Sequence, residues 1–289
     1  MIARVPASSA NMGPGFDVLG MALALYAEIG LIDETGDPPE GAQPADEHHL
    51  ATIAFERVGG TGRLWVRSPI PMGRGLGYSA AVRVGGLVLG LAQQSRAANP
   101  AGSGHDIIHE MADDVLAHAI DLEGHADNAA AAVMGGVVVT TGDRSIRVPL
   151  QFDPAVVVWV PAFSTRTDHS RHKLPVEISL ADAVFNIGHA AFLIAALVSG
   201  DVDALGHAML DRIHQPSRFA AAPASRDAYQ IALANGAWSA WLSGSGPSVA
   251  ALCAVENAET LAMAMSAAAD GIGHTKVLRI DHGGASIET

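Results

Sequence analysis

The sequence predicts an α+β protein built in two halves. Three observations carry this. Strand-like runs of Val, Ile and Leu alternate with helix-periodic runs along the whole chain. A length of 289 residues suits two ordinary domains or one large one. The mixture of strands and helices also restarts after Pro154, which sets the expected halves at 1–153 and 154–289. Hydrophobic residues make up 49% and charged residues 16%, enough apolar side chain for a buried core. Aromatics are only 5%, so Ala, Val, Leu and Gly must fill most of that core.

In order, Ile2 to Pro6 reads as a short strand and Leu19 to Ile32 as one or two strands. The acidic, Pro- and Gly-rich stretch Asp33 to His49 reads as a surface loop. Arg63 to Arg67 alternates polar and apolar residues, as a half-buried strand does. From Ser79 to Gln93, Ala81, Val84, Val88 and Leu91 fall on one helical face, and Asp106 to Leu122 gives a second helix. Val137 to Thr141 and Val156 to Val160 read as buried strands. Ser179 with Asp182 caps a helix running to Val198. Further helices are expected over Val202 to Ile213 and Arg226 to Asn235, the latter stopped by Gly236. Strands Trp238 to Leu242 and Val249 to Ala254, a helix from Ala258 to Ala269 and strand Lys276 to Ile280 complete the chain.

Charge and cysteine content narrow the function classes. Seventeen basic against 30 acidic residues leave a net charge of −13. Such a surface repels nucleic acid and anionic membranes, so neither is expected as a partner. A phosphorylated ligand then needs locally positive ground: backbone amides, a helix N-terminus, a few arginines or a metal. Cys253, the single cysteine, excludes an internal disulfide and a cysteine-built metal site, and its apolar run predicts a buried, inert thiol. The N-terminus has no apolar signal-peptide core and no apolar run is expected to reach membrane-spanning length, which leaves the cytoplasm as the expected location.

Four segments concentrate chemistry. Pro71-Met-Gly-Arg-Gly-Leu-Gly-Tyr-Ser-Ala-Ala81 places three glycines before a helix, an arrangement that presents N–H groups and the helix dipole to an anion. It is not a Walker A loop, because Tyr78-Ser79 stands where Lys-Ser/Thr is required. Gly75-Leu-Gly77-Tyr-Ser-Ala80 matches a dinucleotide fingerprint, but Pro69 and Pro71 separate it from the strand and no acid occurs between Gly77 and Asp106. A nicotinamide site is rejected on both counts. The second segment, Glu123-Gly-His-Ala-Asp-Asn128, packs two carboxylates, an imidazole and an amide ahead of a short Ala-rich helix, where Asp127 or Asn128 could equally serve as a cap. The third, Leu242-Ser-Gly-Ser-Gly-Pro-Ser248, is either a tight hairpin loop or a cover over phosphates. In the fourth, Pro6 to Asp17, Asn11 and Asp17 bracket a glycine loop and could bind an ammonium group or a hydroxyl. His105 and His109 have i, i+4 spacing without an evident third ligand, and read as a solvated face.

Taken together and in this order, the four segments resemble the GHMP kinase superfamily, and within it the homoserine kinase branch. The glycine loop looks like the P-x-x-x-G-L-G-S-S-A-A motif. Ile213-His-Gln-Pro-Ser-Arg218 and the spacing Thr167-x-x-x-Arg171-x-x-Leu174-Pro175 are similar to that branch as well. The resemblance implies a two-domain GHMP kinase fold, with an N-terminal half like ribosomal protein S5 domain 2 and a ferredoxin-like α/β-plait C-terminal half. It also implies transfer of the ATP γ-phosphate to the hydroxyl of homoserine, with Mg²⁺, in an enzyme class where homodimers are common. By position, Asn11, Asp17, His125, Arg171 and Arg218 match the substrate contacts, and Ser79 and Glu123 match the Mg²⁺ ligands. Pro71, Gly73, Arg74, Gly75, Leu76, Gly77, Tyr78, Ser79, Ala80 and Ala81 match the triphosphate loop, while Asn128 and Thr167 match groups beside the reacting hydroxyl. Tyr78 replaces the first serine of the Ser-Ser pair. Two other readings stay open at this point: a kinase for a related hydroxy acid or amino acid, and a ligand-sensing protein with a retired kinase site, for which Tyr78 is the support.

Overall fold

The computed structural model describes residues 1–35, 38–98, 104–164 and 174–288. Strands β1 (Ile2–Ala10) and β2 (Leu19–Leu31) form the centre of the first sheet. They pair antiparallel from Ile2↔Gly30 to Ala10↔Gly20, with a register shift at Pro6/Ala7. β1 continues past Pro6 to Ala10, further than its apolar start suggests, because Ser8 and Ser9 are fully buried and find partners across the molecule. β3 (Gln43–Ala45) and β4 (Leu64–Arg67) extend one side, and β5 (Val137–Thr140) with β6 (Ser145–Val148) joins β2 at its other end. Helix α1 (Ile32–Thr35) is a single turn, and α2 (Leu50–Arg57) follows His49.

Helix α3 (Tyr78–Ala98) lies across β1 and β2, flanked by α2, α4 (Gly104–Glu123) and α5 (Ala126–Met134). The expected face is confirmed and widened: Ala80 through Leu89 are buried apart from the half-buried Arg83. Gly86 permits the close crossing of α2, since a Cβ there would lie 2.2 Å from the Ala51 carbonyl oxygen. Small residues thus fill the space that aromatics do not.

The second sheet has the order β10 (Gly273–Arg279), β7 (Ala155–Pro161), β9 (Val249–Cys253), β8 (Ser239–Leu242), all antiparallel. Counted along the chain this is 4-1-3-2, with helices between β7 and β8 and between β9 and β10: the α/β-plait arrangement. The last strand, β11 (Ser286–Glu288), returns to the first sheet and pairs with β1.

Three expectations are corrected. The helix expected over Val202 to Ile213 is reduced to Leu205–Ala208. The chain leaves it so that the Asp211 carboxylate can accept the N–H groups of Ile213, His214 and Gln215, opening a separate helix over Gln215–Ala221. Within the supposed loop Asp33 to His49, β3 pairs with β4. The run Leu180–Ser199 is a 20-residue helix of mean hydropathy 1.7, long and apolar enough to cross a membrane by length and composition. Here it docks through Leu193, Ala196, Leu197 and Asn186, and leaves Leu180, Val184 and Ile187 exposed.

Candidate active site

Segments from both halves meet at one cleft of about 390 Å³. Asn11, Asp17, Pro71, Gly73, Gly75, Leu76, Gly77, Tyr78, Ser79, Glu123, His125, Asp127, Asn128, Arg218, Gly244 and Ser245 all line it. Thr167 and Arg171, two of the expected site residues, lie outside the described residues, as do His169 and His172.

The glycine loop is held from two sides. Gly75 and Gly77 have φ of +71° and +66°, a region other residues enter only with strain. A Cβ on Gly77 would lie 1.9 Å from Ser8 Oγ, and one on Gly75 would lie 2.0 Å from the Ser243 carbonyl oxygen. Ser243 Oγ donates to the Gly75 carbonyl at 2.6 Å and sits 2.7 Å from Ser9 Oγ, which accepts from Trp241 Nε1 at 3.0 Å. The Leu242 to Ser248 turn is therefore docked on the glycine loop. α3 then begins at Tyr78, so Tyr78 and Ser79, which line the cleft, stand at a helix N-terminus, where the first N–H groups lack intrahelical acceptors. Three expected loop residues, Arg74, Ala80 and Ala81, are not among those that line the cleft. Ala80 and Ala81 are buried in the core. Arg74 turns away, donating to the carbonyls of Met72, Pro161 and Ala162.

Tyr78 lines the cleft, and its hydroxyl lies 3.3 Å from His49 Nε2. His49 Nδ1 accepts the Ala51 N–H at the start of α2, so Nε2 carries the proton and donates to the phenol oxygen. Burial lowers the His49 pKa, keeping the ring neutral, and raises that of Tyr78.

On the other wall, the Ser79 hydroxyl donates to Glu123 Oε1 and Arg83 Nη1 donates to Glu123 Oε2. α5 begins at Ala126 with His125 at its N-cap, so neither Asp127 nor Asn128 is the cap that the sequence allowed. Instead Asp127 Oδ1 accepts the Asn128 N–H at 2.8 Å and is 3.3 Å from Asn128 Nδ2, while Ser8 Oγ donates to Asn128 Oδ1 at 2.9 Å. A carboxylate on one side and a hydroxyl on the other fix the Asn128 amide in one orientation. Burial and the nearby Asp17 charge push the Asp127 carboxyl up to about 7.

Asn11 and Asp17 both take positive φ, 57° and 55°, and Asn11 Oδ1 accepts the Asp17 N–H at 2.8 Å. Non-glycine residues held in that region mark over-determined, functional backbone. Asp17 Oδ1 is 3.9 Å from His125 Nδ1. Arg218 is 4% exposed; its Nη1 donates to the Gly244 carbonyl and to His214 Nδ1, both at 3.1 Å. His214 Nε2 in turn donates to the Gly13 carbonyl at 2.7 Å. Burial pulls the His214 pKa down to about 4, which keeps Nδ1 free to accept.

Profiles of two families match the chain: GHMP kinases N terminal domain over residues 48–136 and GHMP kinases C terminal over residues 193–270. The chain belongs to the GHMP kinase family. Homoserine kinase of Moorella thermoacetica is 38% identical over 87% of each chain, and that of Desulfitobacterium hafniense is 38% identical over 98% of each. The crystal structure of homoserine kinase from Cytophaga hutchinsonii superposes with a TM-score of 0.81 at 26% identity, over all of this chain and 97% of the other. A mevalonate kinase, 14% identical, shares the fold with a TM-score of 0.69 over 98% of this chain and 99% of its own. This GHMP kinase therefore has the two-domain fold that its motifs imply and, like its family, is an ATP-dependent kinase for a small molecule.

Several site-building residues have no role assigned by the sequence, although Ser8, Ser9, His214 and Ser243 lie inside the quoted segments. Arg83, His49, His214 and the serines Ser8, Ser9 and Ser243 hold the named residues in place. Outside those segments Arg83 left a signal, a charge set between Val82 and Val84 on the buried part of α3.

Proposed function

We propose that this chain transfers the γ-phosphate of ATP to the side-chain hydroxyl of L-homoserine, giving O-phospho-L-homoserine for threonine synthesis. One observation carries the reading. The glycine loop, the Glu123 to Asn128 segment, the Asn11 to Asp17 loop and Arg218 come from both halves of the chain and line a single cleft.

Each side chain has a task that its chemistry allows. The amides of residues 73–79 cradle the phosphates, which a chain of net charge −13 cannot hold by its overall field. Ser79 and Glu123 form a hard-oxygen pair in contact, the donor set that suits Mg²⁺, which takes one or two protein oxygens and completes its shell with phosphate and water. When bound, that cation supplies neutralisation of the transferring phosphoryl charge. Asp17 receives the substrate ammonium, with His125 beside it. Arg218, aimed by His214, receives the carboxylate, with Arg171 as its expected partner. Asn128, clamped between Ser8 and Asp127, orients the hydroxyl, as Thr167 is expected to do from the facing segment. An amide is no base at neutral pH, so positioning and charge stabilisation carry the step, as the loose transition state of phosphoryl transfer permits.

ADP release measured with homoserine, threonine, serine and mevalonate as acceptors tests the reading. Homoserine should give the highest kcat/KM, and equal turnover of mevalonate would remove the amino-acid assignment. Asn128→Asp should bring no large gain in kcat. A large gain at unchanged homoserine affinity would show that a base had been missing.

A further inference from the structure

Arg83 lies one helical turn beyond Ser79 on α3, and the two residues bind the two oxygens of one carboxylate, that of Glu123 at the end of α4. The Glu123 side chain is 7% exposed and that of Arg83 is 21%. Solvent screens such a pair weakly, and neither charge could be left alone there without a large desolvation penalty. Neighbours Val82 and Val84 are fully buried, so Arg83 interrupts an otherwise apolar stretch of helix to reach this one acid.

We propose that Arg83 is a positioning residue, a built-in counter-charge that governs how a divalent cation enters the site. This rests on reading Ser79 and Glu123 as the cation-holding pair. Arg83 holds the carboxylate and the serine hydroxyl in register before any cation arrives. It also neutralises Glu123, so a bare cation finds a ligand already compensated and a fixed positive charge close by. Phosphates change that balance, because their negative charge attracts the cation and the guanidinium together. The consequence is ordered binding: the cation enters with the nucleotide and binds poorly without it.

Manganese(II), read by the electron paramagnetic resonance signal of the free ion, measures this without catalysis. The wild-type protein should bind Mn²⁺ weakly alone and at least 10-fold more tightly with ADP. R83M and R83Q, neutral replacements of different polarity, should each tighten nucleotide-free Mn²⁺ binding by about 10-fold or more and shrink the ADP effect. R83K, which keeps the charge, should stay near wild type. A merely structural arginine would lower the melting temperature in these variants without this split between charged and neutral side chains. Nucleotide-free Mn²⁺ affinity unchanged in both neutral variants, with E123Q weakening the Mn²⁺·ADP complex, would overturn the role of Arg83 and leave the cation pair intact. Absence of any ADP-dependent Mn²⁺ binding in the wild type would overturn both.

Discussion

Asp127 is 1% exposed and, among the described residues, its Oδ2 has no hydrogen-bond partner. Burial and Asp17 raise its carboxyl from 3.8 to about 7. Between about pH 4 and pH 7 the native chain therefore keeps a proton that the unfolded chain releases. Stability from this group is complete below the unfolded value and is lost as pH rises through the folded one. His214 acts in the opposite sense. Its folded value of about 4 lies below the ordinary 6.5, so it withdraws stability as pH falls through that window. The two slopes partly cancel in the wild type, and the difference between wild type and Asp127→Asn isolates the first. We expect the variant's advantage in melting temperature to grow from pH 4.5 to pH 7.5; parallel curves would mean that Asp127 is ionised throughout. At this scale the sequence named most of the residues that line the cleft, since their types and order follow from chemistry. Those behind them were hidden, because a serine such as Ser243 or a histidine such as His214 becomes informative only when the fold supplies its partner.

Long, strongly patterned elements are the ones that local chemistry specifies. The helix Leu180–Ser199 begins where Ser179 accepts the Asp182 N–H at 3.0 Å and ends at Gly200, whose φ is +74°. The start was readable from residue type alone, and the expected end at Val198 falls one residue short of the observed one. Ser179→Ala should lower stability by about 1 kcal/mol, the usual worth of an N-cap, seen in denaturant unfolding; no loss would mean that the helix is held by its docking residues alone. By contrast, β3, β6 and β11 are three or four residues long, and none follows a clear alternation. They exist because a neighbouring strand offers unpaired main-chain groups, which is tertiary information. The Gln215–Ala221 helix was missed for a related reason. Its start depends on Asp211, which also accepts from Asn186 Nδ2 on another helix.

The two halves of the molecule are joined beside the cleft that both of them line. Ser243 Oγ reaches the Gly75 carbonyl, and Gly244 N donates to the Ala10 carbonyl at 2.9 Å, so the C-terminal turn closes on both the glycine loop and the end of β1. Gly75→Ala tests this junction. The new Cβ would meet the Ser243 oxygen at 2.0 Å on a backbone with φ of +71°. Left-handed strain alone is worth about 1–2 kcal/mol, and forced overpacking adds about 1–3 kcal/mol. Gly236→Ala separates the two effects, because Gly236 has φ of +88° with nothing within 4 Å of its would-be Cβ. The loss in unfolding free energy for Gly75→Ala should be at least twice that for Gly236→Ala. Its KM should also rise for ATP and for homoserine together, since the loop and the turn are in direct contact and both line the one cleft. Equal losses in the two variants, with both KM values unchanged, would show that the halves assemble independently of this contact.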